Sequence, residues 1–139
     1  MKALRYVPLF LFVLLAYDAM VLLSGNPKGL VDTPLHAFHL VSGASWGPTI
    51  GDVFSMIGVV ALFFELVKAT DTSATAALDH ILSVLVFVVF LVEFLVLPAA
   101  ATSTFVLLML MSLLDVVAGF TISVASARRD LTVENSSLH

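Results

Sequence analysis

The chain has 139 residues, 60% of them hydrophobic and 12% charged, with a formal net charge of −4 and a mean hydropathy of +1.12. A water-soluble globule of this size needs more polar surface, and six basic residues against ten acidic ones leave no electrostatic footprint for nucleic acid. With no cysteine, disulfides, thiolate metal sites and cysteine nucleophiles are excluded.

Four apolar runs predict four membrane-spanning helices, at about residues 6–23, 50–67, 78–97 and 105–127. At 1.5 Å per residue each reaches roughly 27 to 35 Å, enough to cross a bilayer with modest tilt. Their Val, Ile and Phe content would suit strands in water, but in lipid the backbone must satisfy its own hydrogen bonds. Lys2 and Arg5 precede the first run, which is long for a signal peptide and lacks a convincing cleavage site. A retained first span, carrying Asp18, is therefore expected.

Residues 24–49 form the one long connection, placed on the outer side. Gly25-Asn26-Pro27 opens it as a turn. Leu35 to Val41 and Ala44 to Thr49 flank Ser42-Gly43 and predict a short β-hairpin. A two-residue turn there would set Val41 opposite Ala44 and His39 opposite Trp46. Trp46 and Tyr6 suit the aromatic belts on opposite sides of the membrane.

The second span starts with Asp52, which favours the positive end of its helix, and closes with Glu65 and Lys68. Those two, at i and i+3, read as a surface ion pair or snorkelling groups. A short turn follows, with Asp71, Thr72 and Ser73 as candidate caps for the third span. That span carries Asp79, an interfacial His80 and Glu93, and Pro98 ends it. Asp79 and Glu93, fourteen residues apart, fall within about 40° of one another around the helix.

The fourth span holds Asp115 near its middle. Ser112, Asp115, Gly119, Ser123 and Ser126 fall within an arc of about 80°, and Thr104 and Leu108 extend this stripe outward. Small and hydroxyl residues on one face let a second helix approach closely. Residues 128–139 read as a polar cytoplasmic tail. Five of the six basic residues, all but Lys28, then share one side, which puts both termini in the cytoplasm. The expected fold is all-α and integral to the membrane. It is one four-span antiparallel bundle over residues 1–127, in a bacterial inner membrane.

Ionisable groups inside lipid cost at least about 2.5 to 3.5 kcal/mol near a helix centre, so each acid marks a place where the fold must supply a partner. Asp115 is either a satisfied carboxyl in a packing seam or a proton or cation site. Asp18, Glu93 and Asp52 share one outer layer, with Asp32, His36 and His39 above them. Such a set could bind a divalent metal, although three-residue spacing sets His36 and His39 on opposite faces of a strand. No nucleophile elbow, phosphate loop or haem-ligand pair is present, so no enzyme activity and no cofactor are expected. The leading expectation is a structural or accessory membrane subunit that self-associates or joins a larger complex through the small-residue face. The alternatives are a proton or cation pathway through Asp18, Glu93 and Asp115, and metal or small-ligand binding at the outer face by Asp32, His36, His39 and Asp52.

Overall fold

The computed structural model of the protein describes residues 7–70 and 74–137. Helix dominates, as the apolar runs require: α1 (Leu9–Ser24), α2 (Pro27–Val31), α3 (Ile50–Lys68), α4 (Ala74–Val96) and α5 (Ser103–Ser137). A two-residue pair of strands, β1 (Phe38–His39) and β2 (Ser45–Trp46), stands between α2 and α3. Three helices are long and apolar enough to cross a membrane, over Ile50–Lys68, Ala77–Val96 and Ser103–Arg129, and α1 is a shorter apolar fourth. Lys2, Arg5, Tyr6 and the proposed caps Asp71, Thr72 and Ser73 lie outside the described residues.

Local chemistry sets the helix ends. Thr49 and Asp52 close a capping box on α3: the Asp52 amide donates to Thr49 Oγ1 at 3.1 Å, and the Thr49 amide donates to Asp52 Oδ2 at 2.8 Å. Thr102 caps α5 by accepting from the Phe105 amide at 3.1 Å. The last helical residue of α4 is Val96, two before Pro98, because the proline ring disfavours helical backbone at the residue before it. Where a polar tail was expected after residue 127, α5 continues unbroken to Ser137. At 35 residues it is about 52 Å long, so its end projects well past a hydrocarbon layer of about 30 Å.

The outer connection is more ordered than a turn and a hairpin. Gly25 takes the left-handed conformation (φ 64°) that ends α1, and Asn26 then caps α2 through the Gly29 amide at 3.1 Å. The hairpin forms one residue out of the expected register. Phe38 pairs with Trp46 and His39 with Ser45, because Leu40 and Ala44 close a three-residue loop with Gly43 left-handed at φ 84°.

The four long helices form a ring in the order α1, α3, α5, α4. The chain reverses at each connection, yet the neighbours are not all antiparallel. Gly51 packs on Thr104 and Gly58 on Leu108 and Met111, so α3 and α5 run side by side in the same direction. The antiparallel pairs are α1/α3 and α4/α5. Gly58 is what permits the parallel contact: a Cβ there would stand 2.6 Å from Leu108 Cδ2. One ring from each long helix fills the outer half of the core. Tyr17 lies 5.6 Å from Phe54 and 5.2 Å from Phe105, and Phe90 lies 5.3 Å from Phe105. Such pairs contribute about 0.5 to 1.5 kcal/mol each beyond their buried area. Tyr17 Oη and Thr102 Oγ1, 2.5 Å apart, tie α1 to the cap of α5.

The surface is inverted relative to a soluble protein. Val59, Val60, Phe63, Phe64 and Val67 of α3 face outward, while Glu65 among them is only 1% exposed. Apolar side chains turned out and a carboxylate turned in are what a hydrocarbon solvent selects.

Candidate functional site

The buried acids gather at two depths. The inner centre lies where the end of α3, the start of α4 and the middle of α5 meet. Lys68 Nζ stands 2.8 Å from Glu65 Oε2 and 2.9 Å from Asp79 Oδ1, bridging two helices. Glu65 Oε1 also accepts the Leu9 amide, so this carboxylate satisfies an open N–H at the start of α1 as well. Asp115 faces the same centre from α5 and is 5% exposed. Ser83, itself buried, lines the same cavity as Asp115, whose Oδ2 is buried with no hydrogen-bond partner. These side chains, with His80, line a cavity of about 20 Å³, room for roughly one water molecule. Two of the three carboxylates therefore share one ammonium group, and the third, Asp115, faces the cavity beside them.

The outer centre is a carboxyl pair. Asp18 of α1 and Glu93 of α4 face the same pocket, and Glu93 Oε2 is buried without a hydrogen-bond partner. They sit at the back of a pocket of about 230 Å³ whose walls include Val21, Leu22, Leu97 and Ala99. Ser83 and Glu93 are ten positions apart on α4, so the two centres lie about 15 Å from each other along the axis. The aromatic cluster and the fully buried Leu14 and Leu108 fill the space between them.

The sequence reading paired some of these residues and missed others. Asp18 and Glu93 do meet, but Asp52, assigned to the same layer, is occupied in its capping box. Asp79 and Glu93 share a face of α4 and serve different centres. The Asp115 stripe is filled from within the chain: Ser112 and Gly119 are buried, and His80 lies over Gly119, where a Cβ would meet its Nδ1 at 2.9 Å. Ser123, more exposed, donates to the Gly119 carbonyl at 2.9 Å. Around Ser112, Asp115 and Gly119 this face is thus packed within the bundle, while Ser123 is exposed.

Glu65 and Lys68 are the residues the sequence reading placed at the surface. The i, i+3 spacing is the same for a solvated pair and a buried one. A signal existed nonetheless: Gly51, Gly58, Ala61 and Glu65 fall on one face at seven- and three-to-four-residue steps, and all four are buried. The outer-loop ligands do not converge. His39 Nδ1 is 3.0 Å from Ser45 Oγ, His36 packs edge-on against Phe38, and Asp32 ends α2. Among the described residues, no three His, Asp or Glu side chains are grouped to hold a metal ion.

No protein-family model, curated protein or solved structure matches this chain.

Proposed function

We propose that the protein is a non-enzymatic, four-span integral membrane protein that takes up a proton or small cation at its inner carboxylate centre. The observation that carries this reading is Asp115 Oδ2: a buried, unpartnered carboxylate oxygen facing a water-sized cavity beside two further carboxylates. A carboxyl with only a packing role would have both oxygens satisfied by hydroxyl or backbone groups. An ionisable residue inside the membrane that faces the bundle interior or a cavity is by default a functional-site candidate.

α1 counts as the fourth span in this reading. Its 16 residues reach about 24 Å, and it runs from the level of Glu65 to that of Glu93. Lys68 is turned into the bundle, so orientation rests on Lys2, Arg5, Arg128 and Arg129 against Lys28. These favour cytoplasmic termini in a bacterial inner membrane. The filled 15 Å between the centres argues for a gated transfer and against an open pore.

Reconstituted liposomes carrying an imposed pH gradient test the reading. Wild-type protein should dissipate the gradient, Asp115→Asn should abolish the effect, and Glu93→Gln should reduce it. Equal rates in all three preparations would overturn it.

A second reading, an accessory subunit of a larger membrane complex, is favoured by the projecting end of α5. Truncation after Arg129 should then release a partner that co-purifies with the intact chain, and equal co-purification would remove the reading.

A further inference from the structure

The inner centre contains its own cation. Lys68 Nζ fills the space between Glu65 and Asp79 at ion-pair distance from both, which is the position a bound metal ion would need. What remains is one acceptor, Asp115 Oδ2, in a cavity of about 20 Å³. The groups that face Asp115 are Glu65 and Lys68 from α3 and Asp79, His80 and Ser83 from α4. Gly119 and Ser123 of its own helix complete the lining. Among the described residues, α1 supplies no side chain to this cavity.

A sodium or potassium ion needs several oxygen donors converging on one point, and it would lie beside an ammonium group of like charge. A single free carboxylate oxygen next to a water-sized space suits a proton instead. Hydronium donates its proton to the Asp115 carboxylate, giving a neutral carboxylic acid and leaving one water molecule in the cavity. The new O–H can donate within the cavity, whose lining includes the Ser83 hydroxyl.

We infer that the inner centre takes a proton at Asp115 and excludes metal cations, because the Lys68 ammonium occupies their seat. The inference rests on the ion-handling reading above and narrows its substrate to the proton. It predicts binding at equilibrium, so it can be tested without transport.

Infrared difference spectra of the purified protein in lipid, titrated with acid in choline buffer, provide the test. A protonated-carboxyl C=O band should appear on acidification, be absent from Asp115→Asn, and remain unchanged when Na⁺ or K⁺ replaces choline. Ser83→Ala should shift the same band, since it removes a hydroxyl that lines the cavity beside that carboxyl, and it keeps the test intact should Asp115→Asn not fold. Loss of the band on adding Na⁺ or K⁺ would overturn the inference, as would a band unaffected by both variants. A protein that shows the Asp115 band but moves no protons in liposomes supports the inference and removes the transport reading.

Discussion

The two centres use the same chemical group and solve its burial in opposite ways. At the inner end, Glu65 and Asp79 are held by Lys68, and the carboxylate of Glu65 also receives the first amide of α1. At the outer end, Asp18 and Glu93 face a pocket of about 230 Å³ whose lining, among the described residues, holds no lysine or arginine. Two carboxyls that face one pocket without a counter-ion are accommodated at least cost when one of them carries a proton. The inner centre is thus compensated by a fixed charge within the fold, and the lining of the outer pocket supplies no such charge. The difference teaches that stability and accessibility have been separated: one end locks three helices together, the other stays open beside a cavity.

Lys68→Met is the strongest way to break that comparison. It leaves Glu65, at 1% exposure, and Asp79 without a counter-ion. Removing one partner of a buried ion pair costs about 3 to 5 kcal/mol, because the remaining charge stays desolvated. Equilibrium unfolding in mixed micelles should show a loss of that size, and Lys68→Arg should recover part of it. A change below about 1 kcal/mol would mean that Lys68 is a solvated surface group.

Gly58→Leu comes next, because it acts between the two centres. Even one methyl group at position 58 would meet Leu108 Cδ2 at 2.6 Å and Met111 Sδ at 2.8 Å. The ends of both side chains can move, so Gly58→Ala should cost about 1 to 3 kcal/mol and Gly58→Leu more. By prying α3 from α5, the larger variant should also weaken the pairing of Asp115 with the inner centre. Water access to that centre, read by hydrogen exchange, should rise for Gly58→Leu and stay unchanged for the exposed Val59→Ala.

These predictions concern what was hardest to read in the sequence. The helices were legible: apolar runs, Asp52 at a helix start and Pro98 placed α3 and α4 closely. The Asp115 stripe was legible too, since 3.6-residue periodicity brings Ser112 and Gly119 onto its face. What faced that stripe was not. In lipid the apolar faces turn outward, so hydropathy does not identify the inner face of α3, and Glu65 with Lys68 reads as a surface pair. The ring order was hidden for a related reason. Short connections suggest that α3 and α4 are neighbours, but Gly51 and Gly58 let α3 fit against α5 instead. At the hairpin, a left-handed Gly43 added one residue to the loop and moved His39 from Trp46 to Ser45.

Tyr17→Phe sharpens the comparison at the outer end. It removes a buried hydroxyl that lies 2.5 Å from Thr102 Oγ1 but leaves the ring edge-on to Phe54 and tilted against Phe105. Thr102 still accepts from the Phe105 amide. The expected loss is about 0.5 to 1.5 kcal/mol, the net worth of one hydrogen bond. The same unfolding assay separates this from a packing effect, since Tyr17→Leu should cost more.

Asp18→Asn should have the smallest effect, and its sign distinguishes the two centres. An amide has almost the shape of a protonated carboxyl, and its NH₂ can donate to Glu93 as a carboxyl proton can. The substitution therefore replaces an exchangeable donor with a permanent one and removes any repulsion when the pair loses its proton. Stability should stay within about 0.5 kcal/mol of wild type at low pH, where the proton is present. As pH rises and the wild-type pair loses that proton, the variant should become the more stable of the two, by up to about 1 kcal/mol for this partly exposed pair. Unfolding measured at several pH values reads the crossing directly. A loss of several kcal/mol at every pH would show that Asp18 is held by fixed charge as Glu65 is, and the two ends of the bundle would then be built alike.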